Sequence, residues 1–192
     1  EQGSDTDALR GRPGINFMHD GEPVFNTPWF VKSMDDLADI DYHDLPDLPQ
    51  VIDKYDFYFR RRIPALKVLV ARGCLWDCSF CINSLFRKHG AFHRTKSIDK
   101  IRRETEPVID EFGVQLVSPS ADDFFADIKL VRAWADYAQE KKFLWGGNCR
   151  FNYFRKKMVT ADLLRELMGK GLFLLGMSIE AGDESVRNSV IN

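Results

Sequence analysis

The sequence predicts an α/β fold, a partial parallel (βα) barrel of about four units preceded by a β-hairpin and an extended linker. Three observations carry this. Apolar strand-like runs start near residues 66, 114, 143 and 173, so the later units are about 30 residues long, the repeat of a barrel that spends roughly 250 residues on eight units. Between these runs the apolar spacing changes to a helical stripe. Gly, Pro, Ser or Thr marks most of the joins. The organisation expected is residues 1–30 as the tail of a preceding domain or an amino-terminal extension, 31–64 as an acidic, proline-containing linker, and 65–192 as the amino-terminal part of the barrel.

Within residues 1–30, Gly14-Ile-Asn-Phe-Met-His-Asp-Gly-Glu-Pro-Val-Phe-Asn26 sets two short apolar runs around Asp20-Gly21, a hairpin signal. From Met34 to Tyr58 the chain is acidic and punctuated by Pro46 and Pro49, which predicts an extended connector. Ala65-Leu-Lys-Val-Leu-Val-Ala71 reads as a parallel strand buried on both faces and ending at Arg72-Gly73. Ser97 caps a helix with Ile98, Ile101, Val108, Ile109 and Phe112 on its stripe and Pro107 as a kink.

Val114 to Ser118 is the second strand. Asp122-Asp123 follows it, then a helix over Ile128 to Lys141 with Leu130, Val131, Trp134, Tyr137 and Ala138 on one side. Phe143-Leu-Trp145 opens a third strand toward Cys149-Arg150. Thr160 caps a helix whose Leu163, Leu164, Leu167 and Met168 face inward, with Gly169 and Gly171 ending it. Leu172 to Glu180 is the fourth strand, and Asp183 or Glu184 begins another helix.

Composition narrows the function classes. The 192 residues are 44% hydrophobic and 29% charged, with a net charge of -2, as in a soluble globular protein with a sizeable core. No nucleic-acid stripe is indicated; Arg60-Arg61-Arg62 and the bases between Arg87 and Lys100 read as solvated faces. No apolar run reaches membrane-spanning length. The terminus Glu1-Gln-Gly-Ser-Asp5 shows neither an export leader nor a starting methionine, and a longer parent protein is expected.

Chemistry concentrates in Ala71-Arg-Gly-Cys-Leu-Trp-Asp-Cys-Ser-Phe-Cys81, which carries three of the four cysteines in one loop at the carboxyl end of a predicted parallel strand. Active sites of α/β barrels are built at that end. Three thiolates suit a thiophilic iron-sulfur centre that leaves one position open. A structural zinc site recruiting Cys149, His89 or His93 as fourth ligand is the alternative. Reduced thiols in close spacing point to a cytoplasmic setting.

The pattern Cys74-x-x-x-Cys78-x-Phe80-Cys81 resembles the signature of the radical S-adenosylmethionine (radical SAM) superfamily, with Leu75 standing where a proline is often found. The resemblance implies a barrel of the radical SAM type and a 4Fe-4S cluster on Cys74, Cys78 and Cys81. The free iron would bind S-adenosylmethionine, which is cleaved reductively to a 5'-deoxyadenosyl radical. Phe80 would lie beside the adenine, and Asp122 and Asp123 would take the methionine amino group or cap the following helix. Arg150 would pair with the methionine carboxylate, another anion or a structural carboxylate. Ser178 and Glu180, within Ser178-Ile-Glu-Ala-Gly182, would reach the ribose or the amine.

Trp76 would shield the cluster, and Cys149 is a small buried thiol. The hairpin and acidic Leu-Pro connector resemble the join in the cobalamin-binding branch, so cobalamin would come through a domain absent from this chain. His19 and His43 are lone hydrogen-bonded or surface histidines. Four units against a usual six imply a fragment or a shortened barrel. The function expected is radical chemistry on a small-molecule substrate, as a cobalamin-dependent methyltransferase or a cyclase, with flavodoxin or ferredoxin as electron donor. The rivals are a methylthiotransferase-like radical enzyme and a non-catalytic zinc-binding module.

Overall fold

The computed structural model describes residues 6–56, 60–90 and 92–191; the expectations for Glu1 to Asp5, Tyr58 and Asn192 fall outside them. The chain opens on the hairpin β1 (Phe17–His19) and β2 (Glu22–Val24), paired antiparallel. Asp20 and Gly21 at its tip have φ of 49° and 82°, and two positive φ values in a row are what a tight turn matched to strand twist requires.

The linker is more structured than its prolines suggest. Two 3-10 turns, Met34–Asp36 and Tyr42–Asp44, are capped by Ser33 and Asp41. They lead to a short helix, α1 (Leu48–Ile52), and a strand, β3 (Asp53–Asp56). Pro49 sits in the first turn of α1, where its missing N–H has no helical partner to lose. Leu48 and Ile52, four apart, are both buried. The extended connector expected over Met34 to Tyr58 is corrected to this turn-helix-strand segment.

Next come β4 (Arg61–Leu69), β5 (Ala71–Arg72), α2 (Ile82–Lys88) and β6 (Arg94–Thr95). They are followed by α3 (Ile98–Phe112), β7 (Leu116–Ser120), α4 (Ile128–Lys141) and β8 (Trp145–Asn148). The chain continues with α5 (Phe151–Arg155), α6 (Ala161–Gly169), β9 (Leu172–Gly176) and α7 (Glu184–Val186), which runs into a π-type turn, Arg187–Ile191. Ser97 and Thr160 cap α3 and α6 through their side-chain oxygens, and α3 continues through Pro107. Met168, expected inward, is 65% exposed.

β4 pairs parallel with β7 from Ala65–Leu116 to Leu69–Ser120, and antiparallel with β3 along its first half. That antiparallel pairing is why the first strand begins at Arg61 rather than Ala65. β8 and β9 pair parallel, and a parallel bridge between Leu116 and Leu144 joins this pair to β7. The parallel order is therefore β4, β7, β8, β9, in a mixed α/β chain whose described strands close no barrel.

The core lies between this sheet and helices α3, α4 and α6. Trp134, Tyr137, Phe143, Phe124 and Trp145 meet edge to face at centroid distances of 5.2 to 6.3 Å. Such pairs contribute roughly 0.5–1.5 kcal/mol each beyond their burial. This fixes α4 and β8 against each other, and with them the chain segments that leave β7 and β8 toward the site.

Candidate functional site

The thiol loop leaves and re-enters the sheet at one spot. β5 and β6 pair antiparallel through Ala71–Thr95 and Arg72–Arg94, closing the feet of the excursion between them. Gly73 follows at φ +84°, and a Cβ there would stand 2.5 Å from the Phe92 carbonyl oxygen. Only glycine fits so close an approach. Its N–H donates to Asp122 Oδ2 at 2.7 Å, so the base of the loop is fixed to the segment after β7.

Asp123, beside it, is 2% exposed. Its Oδ2 accepts from the Tyr153 hydroxyl at 2.6 Å and from Cys74 Sγ at 3.5 Å, while Oδ1 is buried with no hydrogen-bond partner. His93 Nε2 lies 2.9 Å from the Asp123 carbonyl oxygen, donating in the tautomer that protonates it. The reading of the Asp pair as caps for the following helix is overturned. Asp127 caps α4 through the N–H groups of Lys129 and Leu130, leaving Asp122 and Asp123 to the loop.

The opposite wall is built by α5 and the residue before it. Trp76 Nε1 donates to the Tyr153 hydroxyl at 3.1 Å, and the two rings meet edge to face. Arg150 lies 5.0 Å from the Trp76 ring and its Nη2 donates to Cys78 Sγ at 3.2 Å. Lys156 stacks on the same ring at 4.8 Å. A chain of contacts thus runs from Cys74 through Asp123 and Tyr153 to Trp76, and from there through Arg150 to Cys78.

Burial, with Asp123 close by, pushes the Cys74 thiol up to about 11 against the opposing pull of the Trp76 backbone and Arg150. Burial first, then Asp123, does the same for Cys149, also to about 11. Tyr153 is raised for the same two reasons, burial and its bond to Asp123. At Arg150 burial is the largest influence and works against the charge, but Cys78, Cys74 and Asp123 together outweigh it and the net direction is up.

A cleft of about 790 Å³ opens beside these residues. Of the residues singled out from sequence, Cys78, Asp122, Asp123, Arg150, Ser178 and Glu180 line it, as do Trp76 and Cys149. Cys74, Cys81 and Phe80 are not among its lining residues. Cys74 is buried at 6% exposure, Cys81 is half-buried at the start of α2, and Phe80 is 56% exposed.

Ser178 and Glu180 lie beyond the strand expected to carry them. β9 stops at Gly176 because its partner β8 ends at Asn148, and Glu180 turns at φ 69° with Ala181 N–H bonded to the Ile179 carbonyl at 2.9 Å. Tyr153 is the site residue that sequence reading missed. The short α5 has no side-chain cap to announce it.

Three thiols are the right donors for a thiophilic iron-sulfur centre. Each has its own neighbour here: Asp123 for Cys74, Arg150 for Cys78 and the Asn83 amide at 3.7 Å for Cys81. Among the described residues no three His, Cys, Asp or Glu side chains gather into a group that could hold a metal ion. Cys74, Cys78 and Cys81 fit such a centre in kind, and holding it requires the loop to draw the three sulfurs together. Among the described residues no helix is long and apolar enough to cross a membrane. No known family model matches the chain, and no curated protein matches it at a significant level.

Proposed function

We propose that this chain is the S-adenosylmethionine-binding part of a radical SAM enzyme. One observation supports the reading above the others. The loop carrying Cys74, Cys78 and Cys81 leaves the carboxyl end of β4, and Asp122, Arg150 and Ser178 follow the carboxyl ends of β7, β8 and β9 around one cleft. Convergence of polar groups at that end of parallel strands is where α/β barrels build their sites. On this reading the four parallel strands are the first units of the barrel.

Cys74, Cys78 and Cys81 would hold a 4Fe-4S cluster, which when bound supplies the electron that splits the carbon–sulfur bond of the sulfonium cofactor. The chain's own residues bind and exclude water. Asp122 and Asp123 offer carboxylate oxygens to an ammonium. Arg150 places its charge against Cys78, where a thiolate is needed. Trp76 covers the cleft side of the loop and keeps water from it. The reading extends to a cytoplasmic enzyme with a small-molecule substrate and a flavodoxin or ferredoxin donor, and to cobalamin brought by another domain.

Anaerobic incubation with iron and sulfide tests the proposal. The chain should turn brown and carry acid-labile sulfide, and Cys78→Ala should lose both, together with deoxyadenosine formation. A variant that keeps cluster and cleavage would refute the assignment. About one zinc per chain with no sulfide would favour a zinc-stabilised binding module.

A further inference from the structure

The cleft is larger than the group of residues just assigned, and further basic residues line it. Arg155, at the end of α5, and Arg187, in the turn that follows α7, both line it. Ion pairs of arginine among the described residues belong to Arg10, Arg62, Arg102, Arg103, Arg132 and Arg165. Neither Arg155 nor Arg187 has one. Arg187 is half-buried, so part of its hydration is removed without a carboxylate in return. Glu180 lines the same cleft and pairs with neither.

Arg150 provides the contrast, since its guanidinium is already engaged by Cys78 Sγ and the Trp76 ring. Asn152, on the α5 turn that leads to Arg155, adds an amide to the same wall. Planar guanidinium forks match the two oxygens of a carboxylate or phosphate, and the exposed Arg155 and half-buried Arg187 offer two such forks to one cleft.

We propose that the cleft binds an oxyanion carried by a small molecule, held by Arg155 and Arg187. On the proposed function, this makes the substrate an anionic compound with a phosphate or carboxylate group. The group would anchor the substrate while the rest of the molecule reaches toward Cys78 and Asp123.

Titration of the full chain, prepared without iron, by inorganic pyrophosphate in one series and succinate in another tests this by following the arginine Nε–H resonances in ¹⁵N NMR. Saturable shifts at Arg155 and Arg187 are expected, and the tighter of the two anions identifies the group. Arg155→Gln and Arg187→Gln should each weaken binding about tenfold, as expected for loss of a charge-assisted contact. Arg165→Gln, on the exposed face of α6, should leave it unchanged.

Absence of saturable shifts with both anions, or equal weakening in all three variants, overturns the proposal. Because no cluster is present in this experiment, its failure is separate from failure of iron and sulfide uptake.

Discussion

Two buried polar regions of this molecule are built on opposite terms. Where the linker crosses α3, nearly every charge has its complement. Lys96 and Glu104 are paired at 2% and 0% side-chain exposure. Glu104 also accepts from Ile40 N–H at 3.2 Å. Lys100 bonds Asp39 and the Leu37 carbonyl, and Arg103 meets Asp39 at 3.1 Å. In the cleft, Asp123 keeps a buried oxygen with no partner, and at its accessible side the exposed Arg155 and half-buried Arg187 have no carboxylate. Buried polar groups are normally satisfied, because an unsatisfied one costs about 1–3 kcal/mol. The linker latch spends its charges on holding the fold. The cleft leaves one Asp123 oxygen, Arg155 and Arg187 without such a complement.

The largest effect should come from breaking the latch. Glu104→Ala strands the buried Lys96 ammonium without a partner, and loss of about 3–5 kcal/mol is expected, read as a lower urea midpoint at unchanged m-value. Asp123→Asn should differ sharply. It keeps an oxygen for Tyr153 and removes a buried charge that lacks a full set of partners, so stability should stay within about 1 kcal/mol of the parent. Equal losses in the two variants would erase the distinction between the regions.

A smaller effect is expected from pH, and its sign differs between two neighbouring linker residues, Asp39 and His43. Hydrogen bonds from Arg103 and then Lys100 hold Asp39 at about 2, against 3.8 when free. Its contribution is therefore present above about pH 4 and is lost as pH falls toward 2. His43 is raised from 6.5, first by Glu111 and then by Asp41. Its contribution is complete below pH 6.5 and disappears as pH rises through the folded value. Melting temperature followed across pH should show both slopes, and His43→Gln should flatten only the upper one.

Local patterns in the sequence were legible where one element decides its own fate. The bounds of α4, from Ile128 to Lys141, and its buried stripe of Leu130, Val131, Trp134, Tyr137 and Ala138 follow from spacing alone. So do the caps Ser97 and Thr160 and the turn at Asp20-Gly21. The latch was not legible, because Asp39 meets Lys100 and Arg103 across more than sixty positions of chain.

For the site, Asp122, Asp123 and Arg150 could be put beside one cleft because each follows an apolar run that reads as a strand. The hydrogen bond of Tyr153 to Asp123 could not be foreseen, since it depends on the orientation of a five-residue helix. Which way Phe80 faces was not legible either, because its motif position says nothing of the direction of the turn at Ser79-Phe80, which leaves the ring exposed. Glu180 was assigned to a strand because an apolar run does not reveal where its partner strand runs out.

The stitching of β5 to β6 beneath Gly73 has a wider consequence. When the two ends of a segment are held side by side, lengthening the part between them that touches nothing else adds only a slowly growing entropic cost. The exposed end of the excursion, Lys88 to Gly90, can therefore change in length while Gly73, Trp76 and Cys78 stay bound to Asp122, Tyr153 and Arg150 and the sheet beneath keeps its register.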